Sequence, residues 1–257
     1  MHEYRVLKMD SPELKKDKRI YIYLPKSYGI SDKSYPVLYM HDGQNLFDDK
    51  TAFMGESWGI MDAYTEHPKL PELIIVGIDS DEDRANELVP YEFTGHDGKK
   101  AGGDADLYLK FITETLKPYI DLNYRTFKSP KNTGIMGSSF GGVNSTYAAL
   151  VYGDYFTRFG CVSNAYYYGG FFNELKSLTK SSDLSSVKKF YMDAGTKETP
   201  NEAISKLYLD TNQEMYEILK EKIDESHLRY NVIEGAIHHE TEWKKRFPDI
   251  IKYMFND

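Results

Sequence analysis

The sequence predicts an α/β protein with a mainly parallel central sheet and helices on both faces. Three observations carry this. Short β-branched runs alternate with helical patterns along the chain. One of those runs, residues 73–78, is apolar without interruption, as a strand buried on both faces should be. No internal repeat or low-complexity linker divides the chain, so residues 1–257 are read as one domain.

The elements follow in order. Residues 19–24 alternate like a strand and stop at Pro25, and residues 37–41 form a second strand ending in the turn-prone pair Asp42-Gly43. After the apolar strand 73–78, a polar, glycine-bearing segment runs from 79 to about 104. Residues 107–119 place Leu107, Phe111 and Leu116, with Ile120 beyond, at helical spacing. Residues 133–136 form a strand, a glycine-rich turn follows, and residues 142–152 make a helix of small residues. Strands are expected at 159–163, 189–193 and 229–233, with helices at 204–227 and 242–255.

Composition excludes several function classes. Hydrophobic and charged contents of 40% and 28% are those of an ordinary globular protein. The net charge of −8 argues against nucleic-acid binding, which needs a basic footprint. No run of about 18 apolar residues is present, so no membrane span is expected. Residues 1–19 are polar and lack the apolar stretch of a secretory signal, which leads us to expect a cytoplasmic protein. Cys161 is the single cysteine, so neither an intramolecular disulfide nor a cysteine metal cluster is expected.

The chemistry concentrates at Gly137-Ser138-Ser139-Phe140-Gly141, which fits G-x-S-x-G with Ser139 at its centre. Glycines two before and two after the serine let a strand turn sharply into a helix and expose the hydroxyl at the sheet edge. Ser138 lacks that framing, since Met136 and Phe140 flank it at the same spacing. A serine nucleophile needs a base, and the base needs an orienting acid, in the chain order Ser, Asp or Glu, His. The histidines after Ser139 are His227, His238 and His239. His227 ends a charged helix, whereas His238 and His239 follow the last strand, where the base belongs. Asp193 and Glu198 compete for the acid. Asp193 can still belong to its strand, and Glu198 lies in the turn that follows, so Glu198 is better placed. Backbone N–H groups of Phe140 and Gln44 are the candidate oxyanion donors. His41 precedes the nucleophile and ends a strand, which suits a structural ring.

Several stretches together resemble the esterase D / enterochelin-esterase-like branch of the α/β-hydrolases, over nearly the whole chain. They are residues 35–47, Arg84 and Glu87 in an R-x-x-E segment, Leu116 to Thr126, the elbow 137–142, the turn 195–198, and His238-His-Glu-Thr-Glu-Trp243. That group contains siderophore trilactone esterases, feruloyl and acetyl-xylan esterases, S-formylglutathione hydrolases and mycolyltransferases. The resemblance implies an α/β-hydrolase fold and a serine carboxylic-ester hydrolase working through an acyl-enzyme. It puts the nucleophile at Ser139, the acid at Glu198, the base at His238 and the oxyanion donors at Gln44 and Phe140. It implies no cofactor and no metal, and a small-molecule ester as the partner. This chain departs from the pattern with His239, where Asn or Asp is usual, and with Glu as its acid. Asp42, Tyr166 and Trp243 are further candidates for holding substrate, Tyr166 as part of the aromatic run 165–172. An acyltransferase and a catalytically inactive binding module of the same fold are the alternatives, and the identity of the ester, its acyl length, the oligomeric state and whether the 165–172 run lines the site or only packs stay open.

Overall fold

The computed structural model describes residues 4–95 and 97–256. The chain opens with an antiparallel hairpin, β1 (Tyr4–Ser11) and β2 (Lys16–Tyr23), and then lays down β3 (Val37–Met40). Helix α1 (Ile60–Glu66), strand β4 (Ile74–Ile78) and the short α2 (Arg84–Leu88) follow, then a small hairpin of β5 (Phe93–Thr94) and β6 (Lys100–Ala101). Next come α3 (Ala105–Lys110), a π-helical stretch (Phe111–Leu116) and α4 (Lys117–Asn123), which run on as one rod. The remainder alternates: β7 (Thr133–Ser138), α5 (Phe140–Val151), β8 (Arg158–Val162), α6 (Phe172–Ser181), β9 (Lys189–Gly195), α7 (Glu202–Lys220), β10 (Leu228–Ile233) and α8 (Glu240–Phe255).

Eight strands form one sheet in the order β1-β2-β4-β3-β7-β8-β9-β10. From β4 to β10 every pairing is parallel, and β2 and β1 extend the sheet antiparallel. The two faces follow the period-2 alternation of strand side chains. Val37 and Tyr39 of β3 pack with α3 to α7 on one face, while Leu38 and Met40 pack with α1 and α8 on the other. All five β4 residues are buried, which explains their uninterrupted apolar character.

The expected fold class holds, and the differences lie in elements that carry no local signal and at the ends of others. Strand β1 was not expected, because its sequence YRVLKMDS carries no apolar run. It is an edge strand held by eight register pairs to β2, and backbone pairing needs no hydrophobic signal. The same pairing starts β2 at Lys16 rather than Arg19. The helix expected at 107–119 spans 105–123 with a wide middle, where Pro118 lacks the N–H that an unbroken α-helical ladder would use. Helix α7 ends at Lys220, and a separate 3-10 turn covers Glu225–His227. Helices α1, α2 and α6 complete segments left unassigned from sequence. Among the described residues, no helix is long and apolar enough to cross a membrane.

Candidate active site

The parallel strands all deliver their carboxyl ends to one edge of the sheet, the edge at which open α/β sheets place ligands. Three non-glycine residues there have positive φ: Asp42 after β3 (56°), Ser139 after β7 (59°) and Ser163 after β8 (45°). Such backbone costs about 1–3 kcal/mol per residue and persists only where surrounding contacts impose it. At Ser139 they do so, since its N–H donates to the Val162 carbonyl at 2.9 Å and its carbonyl accepts from the Val143 N–H at 3.1 Å. The framing glycines are needed sterically. A Cβ on Gly137 would stand 2.5 Å from the His41 ring and 2.9 Å from the Gly141 backbone. The elbow exists because β7 must turn against β3 with no side chain between them.

The candidate acid and base come from the turns that follow β9 and β10. Glu198, buried in the turn after β9, accepts the Gly195 N–H at 2.6 Å with one carboxylate oxygen and meets His238 Nδ1 at 2.7 Å with the other. The Glu198 carbonyl also accepts the His238 N–H at 3.1 Å, so backbone and side chain fix the imidazole together. Gly195 permits this closeness, since a Cβ there would lie 2.3 Å from the Ala236 carbonyl oxygen. Asp193 does not compete. It is enclosed and pairs through both oxygens with Arg246 (2.9 and 3.2 Å), while accepting from Tyr191 Oη at 2.7 Å and the Ser163 N–H at 2.9 Å. His239 is spent as the N-cap of α8, where Nδ1 accepts the Thr241 N–H at 3.2 Å.

Ser139 and His238 face one cleft of about 600 Å³, walled by Asp42, Gln44, Asn45, Phe53, Met54, Arg84, Glu240 and Trp243 among others. Gln44 is held there by its own groups. Its side-chain oxygen accepts the Ser80 N–H at 3.0 Å and its carbonyl accepts Thr51 Oγ1 at 2.7 Å. Phe140 opens α5, with its ring against Phe93, Tyr168 and the Arg84 guanidinium. Asp42 grips Arg84 bidentately at 2.6 and 2.9 Å. Burial alone would raise the Asp42 carboxyl, but the Arg84 charge and hydrogen bonds outweigh it and hold the group below the usual carboxylate range. Trp243 stands edge-on to His238 at 5.0 Å and donates Nε1–H to Ser163 Oγ at 3.0 Å, so it braces the imidazole as well as walling the cleft. His41 has the structural place expected of it. It is enclosed between Tyr108 Oη (3.0 Å) and Ser145 Oγ (3.2 Å), and burial pushes its ring down to about 3.

One expectation fails. Tyr166 is wholly buried, its hydroxyl on Thr146 Oγ1 and its ring on Phe172, so it belongs to the core rather than the cleft. The aromatic run divides one residue at a time: Tyr167 packs on Tyr208 and Tyr168 on Phe140. Sequence reasoning also left out Tyr208 and Glu240. Tyr208 comes from α7, with its ring 5.3 Å from His238. Glu240 lies buried beside the cleft and accepts from Asn45 Nδ2 at 3.3 Å, and burial raises its carboxyl. Glu240 was visible as the Glu of His238-His-Glu, whereas Tyr208 carried no local signal. Of the R-x-x-E pair, only Arg84 reaches the cleft; Glu87 is buried against Lys18 at 2.7 Å.

Comparisons with known proteins bear on the family and the fold. A model of the family described as "Putative esterase" matches residues 11–254. The uncharacterized protein YbbA of Bacillus subtilis is 27% identical over 243 residues, covering 93% of each chain. Among solved structures, an IroE-like serine hydrolase from Shewanella oneidensis superposes with a TM-score of 0.79 at 22% identity, over 99% of this chain and 80% of that one. The enterobactin esterase FES from Shigella flexneri, solved with enterobactin, gives 0.77 at 18% identity, over 99% of this chain and 59% of that one.

Proposed function

The chain belongs to the esterase family and is a carboxylic ester hydrolase of α/β-hydrolase fold, and from that premise we propose that it works through an acyl-enzyme on Ser139. Ser139 Oγ attacks the ester carbonyl carbon while His238 Nε2 takes its proton, and the carbonyl π pair moves onto the oxygen. The amides of Gln44 and Phe140 receive that oxyanion. The C–O bond to the alcohol then breaks, and the departing oxygen takes the proton from His238. Water, activated by the same imidazole, releases the acid in a second round. Glu198 holds the tautomer and the developing imidazolium. The observation carrying this proposal is the 2.7 Å Glu198–His238 pair, facing the same cleft as a serine of positive φ. Every residue involved follows a strand of the one eight-stranded sheet, which supports taking 1–257 as a single domain.

The preferred substrates are uncharged esters with short or aromatic acyl groups. Glu82 and Glu240 add carboxylates to the cleft, Asp81 is paired with Lys16, and Arg84 is already clamped to Asp42, so the cleft disfavours a polyanion. Phe53 and Met54 are exposed at the rim and, with Trp243, offer apolar walls. The likeness to FES favours a second reading, a catecholate siderophore ester, which this charge pattern would admit more readily free of iron. Ser139→Ala should abolish turnover of a chromogenic acetate ester and block fluorophosphonate labelling; retained turnover refutes the assignment. A neutral feruloyl ester hydrolysed faster than an iron-free catecholate trilactone supports the first substrate class, and the reverse order supports the second.

A further inference from the structure

His238 stands between two hollows. The cleft already described lies on one side and is walled by Ser139 and by Gln44, one of the two candidate oxyanion donors. A second hollow of about 870 Å³ lies on the other, walled by Thr196, Lys197, Pro200, Leu209 and Ile237, with Met54 and His238 common to both. Tyr208, one residue before Leu209 on α7, packs against His238, which lines both. Only 4% of it is exposed, its ring lies 5.3 Å from that of His238 and 4.6 Å from that of Tyr167, and its hydroxyl interacts with the hydroxyls of Ser139 and Tyr167.

The helix is anchored on both sides of this residue. One turn earlier, Ser205 Oγ accepts the Thr199 N–H at 3.0 Å and donates to the Thr199 carbonyl at 2.9 Å. One turn later, Asn212 Nδ2 donates to the Tyr208 and Asn164 carbonyls at 2.8 and 2.9 Å, and Asn212 Oδ1 accepts from Asn164 Nδ2 at 3.0 Å. The ring is therefore fixed before substrate arrives, the condition for an effective hydrogen-bond donor at a reacting atom.

We propose that Tyr208 is a catalytic residue whose hydroxyl donates a hydrogen bond to the leaving-group oxygen, with the alcohol part of the ester lying toward the α7 hollow. This rests on the acyl-enzyme reading above. In the tetrahedral intermediate the ester oxygen lies between Ser139 Oγ and His238 Nε2, and Tyr208 borders both groups. As the C–O bond breaks, its electron pair stays on that oxygen. The proton comes from His238, and Tyr208 keeps its own while stabilising the growing charge. A tyrosine hydroxyl is protonated at neutral pH, and burial pushes that of Tyr208 further up.

The test is a leaving-group series of acetate esters (4-nitrophenyl, phenyl and ethyl) measured for wild type, Tyr208→Phe and Ser139→Ala. A nitrophenolate leaves unaided, whereas an ethoxide needs every donor. Tyr208→Phe should lower kcat/KM about tenfold for the ethyl ester and less than about threefold for the 4-nitrophenyl ester, the size one charge-assisted hydrogen bond supports. Equal losses across the series, or none, overturn the proposal. Partial unfolding of the variant cannot mimic the result, because it scales all three esters alike. Turnover by Ser139→Ala would instead defeat the nucleophile assignment, whatever Tyr208→Phe does.

Discussion

Two buried carboxylates five residues apart, Asp193 and Glu198, show how one sheet edge makes both a closed pair and an open one. Each takes a backbone N–H and a side-chain partner. Asp193 is still in β9, points beneath the edge and spends both oxygens on Arg246, whose charge is permanent. Glu198 follows the turn and meets His238, which borders the cleft. His41 belongs with the closed kind, its two nitrogens taken by Tyr108 and Ser145. The lesson is that burial and hydrogen bonding alone do not identify a working acid. A partner that can change protonation and borders the cleft, as His238 does, is what makes Glu198 the proposed acid.

The largest effect should come from opening the working pair. Glu198→Gln keeps the shape but removes the charge and invites the wrong His238 tautomer, so kcat should fall about 10²–10⁴-fold with little change in melting temperature. Activity within a few-fold of wild type would mean the wrong carboxylate is credited. Asp193→Asn should do the opposite: it strands the Arg246 charge and costs about 3–5 kcal/mol in denaturant unfolding. Its remaining folded protein should hydrolyse a chromogenic ester at close to the normal rate. If activity collapses while stability holds, the two carboxylates have exchanged roles.

Gly137→Ala tests the junction between closed and open parts, because the added Cβ strikes the His41 ring and the Gly141 backbone together. Overpacking of this kind should cost up to about 3 kcal/mol and also misplace Ser139, lowering the rate of fluorophosphonate labelling. Labelling at the wild-type rate would show that the elbow does not depend on that contact.

The smallest effect concerns pH. His41 stays neutral in the folded protein down to about 3 but binds a proton near 6.5 when unfolded. Between those values the unfolded state holds more protons, so stability falls as pH falls below about 6.5, by roughly 2 kcal/mol at pH 5. The loss of unfolding free energy from pH 7 to pH 5 should therefore shrink by about that amount in His41→Gln. An identical slope in both proteins would show that other groups carry the pH dependence.

The legible parts of this protein were those whose signal is local. The Ser139 elbow, the Gly195–Glu198 turn and the His238 loop each announce themselves in a few residues, because glycine spacing and chain order are properties of short segments. Strand β1 gave no such sign, since an edge strand is held by backbone pairing. Tyr166, Tyr167 and Tyr168 were indistinguishable in sequence. Their different fates came from the turn that carries them, which sends Tyr166 into the core, Tyr167 to Tyr208 and Tyr168 to Phe140.

By itself the amino-acid order determined the α/β architecture, the candidate nucleophile and the succession of acid and base, because periodicity, turn chemistry and motif spacing are written along the chain. Tertiary structure alone decided that Arg246 closes off Asp193, that His239 caps a helix, and that Tyr208 stands against Ser139 from 69 residues away. The physical reason is that these outcomes depend on which strand ends lie side by side and which way each side chain turns. Only the assembled sheet and its packed helices settle that.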